Sequence, residues 1–539
     1  MPQSEAGSPS SLMRPRALLL ALVLLALLVL GLGRAPLFDV DEGAFSEATR
    51  EMIASGDWGH TTLNGADRFD KPIGVYWLQA ASVAVFGVNE FAVRLPSALA
   101  AWVAALALGA FAAARLGPAA GALAAVVHAT AFGSWAMAHA ATADAVLGLW
   151  LVLSALDLWR YLERADMQAL RRLGIWVGLG LLVKGPVAVL IPLAALLLSC
   201  LAARDAQPLW RALRDGRTWA WLLAIALPWY AYALWRHGQA FIDGFILKHN
   251  VERFSAPMEG HSGSWLYFLV VAPLLWMPWS PLLLGWWGRL GALWRTPHTR
   301  HALVWAGFVL VFFSLSGTKL PHYGLYAAPG VVLLIAAAAV QARTALWLLV
   351  GALLLVWQAL MVGVPLSFTR HPERWVPEAL REQVLGTPAA VPLAAVLGLW
   401  AALALAWAVW RWRARRGANK GAGRSLAMPT LAAMALLHAL VLTWVVWPWW
   451  AQTLQGPVRT LALNARVSAA PVQQLGGNWP SFAFYRQQPL TRTPEPAADT
   501  LFLLRASDLA QRPDWTVRAR ERGMVLAQPA ASAAAPQRP

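Results

Sequence analysis

Long apolar runs, separated by short polar loops, dominate the chain from residue 17 to residue 449. A membrane-spanning helix needs about 20 mostly apolar residues, and this pattern predicts thirteen such helices. The predicted spans are 17–33, 95–115, 119–137, 145–160, 173–183, 185–203, 218–236, 265–288, 302–316, 320–341, 345–363, 389–411 and 428–449. The sequence therefore predicts an all-α polytopic membrane protein.

The charged residues between these runs orient the predicted helices. If the N-terminus is inside, the strongly basic loops around 160–172, 204–217 and 411–424 all lie inside, as the positive-inside rule expects. These loops all lie inside only if the short apolar run 73–87 does not cross the membrane, because one more crossing would invert every later loop. We therefore expect an interfacial or re-entrant helix at 73–87.

Composition divides the chain into further parts. We expect residues 1–16 to form a cytoplasmic tail and 17–449 a transmembrane domain, whose outer loop 34–94 carries interfacial helices. Residues 450–528 are more polar and hold short β-rich runs, so we expect a small periplasmic α/β domain there. Its predicted strands are 500–504 and 515–518, and its predicted helices are 458–466 and 507–511. The Ala/Pro-rich residues 529–539 suggest a disordered tail.

Composition also excludes some classes of protein. The 539 residues are 58% hydrophobic and 13% charged, which a soluble protein of this size does not accommodate. The net charge of +17 is typical of nucleic-acid binding, but the Arg and Lys lie mainly between apolar runs, so we expect membrane lipids and no nucleic acid as partners. Cys200 is the single cysteine, which excludes an intrachain disulfide.

An acidic loop between the first two predicted spans contrasts with this basic, apolar chain. Residues 38–72 hold eight acidic and only three basic side chains. Asp41 is suited to cap a helix that begins at Glu42 and places Phe45, Ala48 and Met52 on one face. Such a helix would lie along the membrane surface and hold two carboxylates beside the bilayer.

Further polar side chains converge on the same predicted outer face. Four cations at helix edges, Lys71, Lys184, Arg253 and Lys319, suit the phosphate of a lipid carrier. Asp41 or Asp144 would serve as a general base that deprotonates an acceptor hydroxyl, with Glu42 as a further carboxylate. Together these residue types fit transfer of a group from a lipid phosphate to a hydroxyl. The sequence has no Walker loop and no glycine-rich dinucleotide motif.

Each of these residues also has a simpler interpretation. A lysine at a helix end often snorkels to the interface, Asp144 is placed to cap its helix, and Asp70 is placed to pair with the neighbouring Lys71. A divalent-metal site of Asp70 and His249 would rest on two separated ligands, and no other cofactor is expected. A transporter or flippase for a lipid-linked sugar and a membrane scaffold remain alternative functions. Transporters usually place polar residues at the midplane, whereas here they gather at one face.

Several short motifs carry a resemblance to a known family. They are Asp41-Glu42, Gly56-Asp57-Trp58, Leu63-Asn64-Gly65, Phe69-Asp70-Lys71-Pro72, Arg94-Leu95-Pro96-Ser97, Asp144, Lys184-Gly185-Pro186, Arg253-Phe254 and Lys319-Leu320-Pro321 with Tyr323. In combination the chain resembles the GT-C membrane glycosyltransferases of the protein O-mannosyltransferase and aminoarabinose transferase (ArnT-like) superfamily, over roughly residues 17–335.

The resemblance implies thirteen spans, an outer soluble domain and inverting transfer from a polyprenyl-phosphate sugar at the periplasmic face of the inner membrane. It implies Asp41 as the catalytic carboxylate, and Lys71 and Arg253, with Lys184, Lys319 and Tyr323, as holders of the donor phosphate. A lipid A-like glycolipid, another envelope glycolipid or a protein would be the acceptor. The chain departs from aminoarabinose transferases at Ala44, where they usually carry Arg, and at Asp70, where they usually carry Glu.

Overall fold

A computed structural model of the protein describes residues 13–257, 261–386, 402, 405–409, 412, 420–490 and 499–529. The predicted tails 1–16 and 529–539 lie almost entirely outside the described residues. Most of the predicted span 389–411 lies outside them as well.

Helices dominate the first 386 residues. The α-helices there are α1 (Met13–Val29), α2 (Asp41–Ser55), α3 (Gly74–Phe86), α4 (Glu90–Leu116), α5 (Pro118–Thr130), α6 (Phe132–Ala138), α7 (Asp144–Arg164), α8 (Met167–Lys184), α9 (Val187–Ala203), α10 (Gln207–Arg214), α11 (Gly216–His237), α12 (Gln239–Phe241), α13 (Arg253–Ser255), α14 (Tyr267–Leu275), α15 (Leu290–Arg295), α16 (Pro297–Leu315), α17 (Ala328–Gln341), α18 (Thr344–Arg370), α19 (Pro372–Trp375) and α20 (Glu378–Leu385). A π-helix covers Ile242–Glu252, and 3₁₀ helices cover Ser280–Trp286 and Pro321–Ala327.

Six helices in the described part of the chain are long and apolar enough to cross a membrane, or eight if each of two bent helix pairs is one span. The six are Glu90–Leu116, Asp144–Arg164, Pro297–Leu315, Pro321–Gln341, Thr344–Arg370 and Met428–Leu454. The protein is therefore a polytopic helical membrane protein. The full count of thirteen spans stays a prediction.

Two of the predicted spans are broken. Helices α5 and α6 meet at 62°, and α14 meets the 3₁₀ helix Ser280–Trp286 at 111°. The segment predicted as a span at 265–288 is therefore bent, and its crossing of the membrane stays a prediction; Pro278 and Pro281 lack the N–H groups that a continuous helix needs. The two breaks face each other, since the N–H of Phe132 donates to the carbonyl of Met277 at 2.9 Å. The backbone donor released at the first break is satisfied in this way.

The predicted interfacial segment 73–87 is the 13-residue helix α3. At 1.5 Å per residue it is about 20 Å long, too short to cross a hydrocarbon core of about 30 Å. Its residue Tyr76 is fully buried, whereas Val85 near its end is 73% exposed. The absence of a crossing by this helix stays a prediction.

Helix α2 differs from its predicted form in two respects. It begins at Asp41 itself, and Val40 occupies the N-cap position without a side-chain hydrogen bond, so Asp41 does not cap the helix. Its apolar face, Phe45, Ala48 and Met52, is buried in the protein core rather than laid on a membrane surface. Helix α2 packs between α3 and the later helix Pro480–Arg486. Because both flanks are covered, packing within the protein holds its apolar side chains.

Two small sheets complete the fold. Strands β1 (Thr62–Leu63) and β2 (Ala66–Asp67) form an antiparallel hairpin in the loop between α2 and α3, turned by Asn64 and Gly65 with positive φ. After the last predicted span come the helices Gly456–Asn464, Pro480–Arg486 and Ala506–Leu509. They accompany a four-stranded sheet in the order β3-β4-β6-β5, whose strands are β3 (Val472–Gln474), β4 (Leu501–Arg505), β5 (Thr516–Glu521) and β6 (Met524–Gln528).

The C-terminal α/β unit shares a hydrophobic core with the helical part of the chain. Phe482 and Leu503 from this unit belong to the same buried cluster as Val83 of α3 and Val93 of α4. The N–H of Leu37 donates to the Tyr485 hydroxyl at 2.7 Å, across the same boundary. The unit is therefore packed directly on the segment between α1 and α4.

Candidate active site

A cavity of about 330 Å³ opens between α8, α9, the π-helix Ile242–Glu252 and the 3₁₀ helix Pro321–Ala327. Six of the ten site residues predicted from the sequence line it: Asp70, Lys71, Lys184, His249, Arg253 and Tyr323. The lining also includes a set of apolar side chains: Leu190, Val251, Phe254, Phe312 and Phe313. The cavity thus presents a cationic end and an apolar end, as a lipid phosphate requires.

Lys71 occupies the cationic end, in the loop before α3. Its ammonium donates to the carbonyl of Asp70 at 2.9 Å. Burial, together with the positive charges of Lys184 and Arg253, lowers the pKa of Lys71 to about 7. An anion bound among these cations would reverse this effect, because it would favour the charged ammonium.

Asp70 and His249, predicted as metal ligands, contact each other across the cavity mouth. The Nε2 of His249 lies 2.9 Å from one carboxylate oxygen of Asp70, and Arg68 lies 2.8 Å from the other. Burial favours the neutral carboxyl, but the His249 hydrogen bond and the charges of Arg68 and Lys71 outweigh it and hold the pKa of Asp70 well below its usual range. The structure shows an ion-paired carboxylate here, and the predicted metal stays a prediction.

Asp144 lies at the start of α7, beside a smaller cavity of about 30 Å³ that His322 and Tyr326 also line. Its carboxylate accepts hydrogen bonds from Lys184 at 2.5 Å and from the Tyr326 hydroxyl at 2.6 Å. His322 lies 3.5 Å away. Tyr326 lines both cavities and so connects Asp144 to the cavity that Lys71 and Arg253 line.

Asp41 is exposed at the N-terminus of α2. Among the residues that the structure describes, its carboxylate has no hydrogen-bond or ion-pair partner. It nevertheless lies within electrostatic range of Arg68 and of His322, the latter also close to Asp144. The two predicted catalytic carboxylates thus approach the same histidine from different helices, and only Asp144 is paired.

Glu42 does not line either cavity, in contrast to the expectation from the sequence. Its carboxylate forms a bidentate ion pair with Arg94 at 2.8 Å and accepts the N–H of Ala141 at 2.7 Å. Arg94 also donates to the carbonyls of Leu32, Ala35 and Pro36. Because both partners are buried and satisfied, Glu42 ties together α2, α4 and the end of the first helix rather than facing a substrate.

Lys319 is likewise turned away from the 330 Å³ cavity. It is buried, and its ammonium donates to the carbonyl of Ser316, which does line the cavity. Its backbone N–H donates to the carbonyl of His261 at 2.9 Å. In this arrangement Lys319 supports the cavity wall, and direct contact with a donor phosphate would need its side chain to move.

The sequence did not single out Tyr326, Arg68 or His322 as site residues. Tyr326 follows Tyr323 by three residues in a 3₁₀ helix, where side chains at i and i+3 share a face. The pair Tyr323 and Tyr326 was therefore visible only once the local helix type was known. Arg68 precedes Asp70 by two residues, a spacing that indicates a shared strand face but no particular partner.

Comparisons with known proteins fit this geometry. The family model described as dolichyl-phosphate-mannose-protein mannosyltransferase matches residues 70–235, which include Lys71, Asp144 and Lys184. The undecaprenyl phosphate-alpha-4-amino-4-deoxy-L-arabinose arabinosyl transferase 2 of Pseudomonas fluorescens is 31% identical over 291 residues, covering 52% of this chain and 49% of that protein. The corresponding transferase of Aeromonas salmonicida is 30% identical over 337 residues, covering 60% of this chain and 59% of that protein.

The likeness in structure extends over the whole chain. The crystal structure of ArnT from Cupriavidus metallidurans bound to undecaprenyl phosphate superposes with a TM-score of 0.79 at 22% identity, covering 97% of this chain and 99% of that one. The predicted resemblance to ArnT-like GT-C proteins is therefore confirmed, by sequence over part of the chain and by fold over nearly all of it. In sequence, the chain spans about half the length of the curated relatives that it matches.

Proposed function

We propose that the protein is a glycosyltransferase that moves a sugar from a polyprenyl-phosphate donor to a hydroxyl or phosphate of an envelope acceptor. A lipid A-like glycolipid, modified by aminoarabinose-type transfer, is the favoured acceptor. The observation that carries the proposal is the cavity in which Lys71, Lys184 and Arg253 face an apolar wall. The curated relatives whose names specify an undecaprenyl-phosphate donor agree with it.

The donor phosphate would bind at the cationic end of the cavity. Lys71, Lys184 and Arg253 neutralise its charge, and the Tyr323 hydroxyl supplies a further hydrogen bond. The stacked rings of Phe254 and Phe312, 4.9 Å apart, would pack against the first isoprene units of the carrier. These cations also stabilise the leaving group, because the phosphate gains negative charge as the sugar departs.

The acceptor oxygen would attack the anomeric carbon on the face opposite the phosphate. Its new bond to carbon forms as the bond between carbon and the phosphate oxygen breaks, and the configuration inverts. Asp41, exposed and without a partner in the described residues, would accept the proton of the acceptor hydroxyl. Asp144 is the second candidate, although its carboxylate is already paired with Lys184.

The site would lie on the periplasmic face of the inner membrane. The acidic first loop, the cavity and the C-terminal unit all fall on the outer side in the orientation that the basic loops predict. The C-terminal unit would then be the periplasmic domain, resting on the loop that carries Asp41.

A protein acceptor is a second candidate, because the family model over residues 70–235 describes protein mannosyltransferases. A flippase would move the lipid-linked sugar without breaking the bond between sugar and phosphate. A transferase releases the polyprenyl phosphate without its sugar, whereas a flippase leaves the lipid-linked sugar intact. A lipid acceptor and a protein acceptor differ in which of the two molecules gains the sugar.

The experiment uses purified full-length protein in detergent with undecaprenyl-phosphate aminoarabinose and lipid A, followed by mass spectrometry of the lipid. We expect aminoarabinose on lipid A and release of undecaprenyl phosphate. Lys71→Ala and Arg253→Ala should lose most of this transfer, whereas Lys248→Ala, an exposed lysine outside the cavity lining, should retain it. Transfer from a nucleotide sugar without any lipid carrier would refute the proposed donor.

A further inference from the structure

Three potential metal ligands meet outside the proposed active site, where the hairpin β1–β2 contacts the end of α11. The Nε2 of His60 lies 3.0 Å from a carboxylate oxygen of Asp67. A ring nitrogen of His237 joins them in a set of atoms that all lie within 4.8 Å of one another. Among the described residues, no other group of three such side chains is this compact.

The donor set matches the chemistry of Zn²⁺. This ion binds imidazole nitrogen and carboxylate oxygen at about 2.0–2.2 Å, so neighbouring ligands in a tetrahedral site lie about 3.3 Å apart. The separation of His60 and Asp67 already approaches that value, and because all three atoms lie within 4.8 Å of one another, closure to His237 requires a shift of at most about 1.5 Å. Two imidazoles and one carboxylate leave the fourth position to water.

The His237 side chain provides an independent observation. Its Nε2 is shielded from solvent and has no hydrogen-bond partner in the described part of the protein. A buried imidazole nitrogen of this kind loses its hydrogen bond to water without compensation. Its ring contacts that of His60 at a tilt of 37°, with the ring centroids 4.2 Å apart, so the two imidazoles already lie at one site.

The surrounding contacts hold the ligands in place. The indole N–H of Trp229 donates to the carbonyl of Gly59 at 3.0 Å, and Arg236 pairs with Asp57 at 2.7 Å. Phe69, two residues after Asp67, packs against both imidazole rings. Asp67 remains about half exposed, which leaves a route by which an ion can enter.

We propose that His60, Asp67 and His237 bind a divalent transition-metal ion, with Zn²⁺ favoured by the ligand types. The ion would fasten the hairpin to α11. Phe69, Asp70 and Lys71 directly follow the hairpin in the chain. The metal ion would therefore help to hold Asp70 and Lys71 in their positions in the cavity lining. It is separate from the candidate pair Asp70 and His249, whose contact lies at the cavity itself.

The test measures metal binding by purified full-length protein, with cobalt(II) as a spectroscopic substitute for zinc. We expect one metal ion per chain and visible cobalt absorption in the wild-type protein, and a rise in its unfolding temperature on addition of zinc. His60→Gln and His237→Gln keep side chains of similar size but each removes a direct ligand of the metal ion. Loss of a residue that only hydrogen-bonds to a ligand weakens metal binding by roughly 10–100-fold, and we expect a larger loss here. Both should also lose the zinc-dependent stabilisation.

Two control variants identify the site. His371→Ala removes an exposed histidine elsewhere and should leave binding unchanged. His249→Gln tests the separate Asp70–His249 pair, and the ion held by His60, Asp67 and His237 should remain bound in this variant. The proposal is overturned if the folded wild-type protein binds neither ion, if His60→Gln and His237→Gln bind as the wild type does, or if only His249→Gln abolishes binding. None of these readouts depends on sugar transfer, so they stand apart from the proposed function.

Discussion

Two adjacent carboxylates, Asp41 and Glu42, have opposite surroundings. Glu42 is buried and bonded to Arg94, whereas Asp41 is exposed and has no partner in the described residues. The sequence predicted both as members of an acidic pair at the membrane surface. The sequence ranked Asp41 above Glu42 as the base, but it did not indicate that Glu42 is buried, because the partner of Glu42 lies 52 residues away on α4. Different consequences of substitution follow for the two residues.

Asp41→Asn should abolish most sugar transfer while the protein folds and binds its donor. Asparagine is close in size to aspartate but does not accept a proton near neutral pH, so we expect a loss of roughly 10²–10⁴-fold in transfer rate. Single-turnover transfer and binding of undecaprenyl phosphate measure the two effects separately. Asp243→Asn, which changes an exposed acid on the same predicted face, serves as the matched control. Near-normal turnover by Asp41→Asn would remove Asp41 as the base.

Glu42→Gln should act mainly on stability. It leaves the buried Arg94 guanidinium without its counter-charge, and breaking a buried ion pair in this way costs roughly 3–5 kcal/mol. We expect a lower unfolding temperature in detergent, and a smaller loss of transfer per folded molecule than Asp41→Asn causes. A variant that unfolds normally but transfers no sugar would instead assign Glu42 to the chemistry.

Lys71 should make donor binding depend on pH. Because its pKa is lowered to about 7, the charged ammonium that we propose to bind the donor phosphate is present below pH 7 and is lost as pH rises. The dissociation constant for undecaprenyl phosphate should therefore rise between pH 7 and 8.5, by up to about tenfold per pH unit if one proton is taken up on binding. Lys71→Arg should bind more weakly at pH 6.5 and show a flatter profile, since arginine stays charged. An identical slope in Lys71→Arg would assign the titration to another group.

At the scale of secondary-structure elements, the hydrophobic pattern of the sequence predicted the positions of the helices but not the bends in two of them. The spans predicted at 95–115 and 145–160 correspond to α4 and α7, and the short run 173–183 is extended at its start in α8. The breaks near Ala131 and Pro278 depend on each other through a backbone hydrogen bond, which no local pattern contains. The strands at 501–505 and 516–521 lie within one residue or a few of their predicted positions, because alternation is a local signal.

The contact between the loop before α2 and the helix Pro480–Arg486 should stabilise both elements. Asp39 accepts the N–H of Ser481 at 2.8 Å and its hydroxyl at 2.5 Å. Ser481→Ala removes the hydroxyl donor from a buried carboxyl, so we expect a destabilisation of about 1–3 kcal/mol. Asp39→Asn keeps one acceptor oxygen for the Ser481 N–H, and its NH₂ group is able to donate to the Ser481 hydroxyl, so this variant should cost less. Thermal unfolding in detergent compares the two variants.

The same contact makes stability depend on pH. Burial raises the pKa of Asp39 from 3.8 to about 7, against the opposing hydrogen bonds from Ser481. The folded protein therefore binds the Asp39 proton more tightly than the unfolded chain does. Protonated Asp39 favours folding at about pH 4, and this contribution to stability is lost as the pH rises through 7. Asp39→Asn should remove this part of the pH dependence. An unchanged stability profile from pH 4.5 to 7.5 in Asp39→Asn would contradict the assignment.

At the scale of the whole molecule, the convergence of polar residues was the most informative signal in the sequence. Residues as distant as Asp70, Lys184, Arg253 and Tyr323 line one cavity, as their shared position at the outer ends of predicted helices indicated. Lys319 and Glu42 share that position but point elsewhere, because placement at a helix end does not fix the direction of a side chain. The buried cluster that joins the C-terminal unit to α3 and α4 was not predicted either, since it depends on docking between distant segments.

The orientation of the molecule in the membrane can be tested directly. The basic loops predict that Arg164 and Arg214 lie inside, whereas Asp57 and Gln488 lie outside. The structure requires the last two to share a side, because Asn64 in the first loop accepts a hydrogen bond from the backbone N–H of Leu490 at 3.0 Å. Single-cysteine variants on a Cys200→Ser background, labelled in intact cells with a membrane-impermeant reagent, should react at 57 and 488 and not at 164 or 214. Cys200 is buried and the only cysteine, so this background is simple to prepare. Labelling at 164 without permeabilisation would invert the orientation and move the proposed active site to the cytoplasmic face.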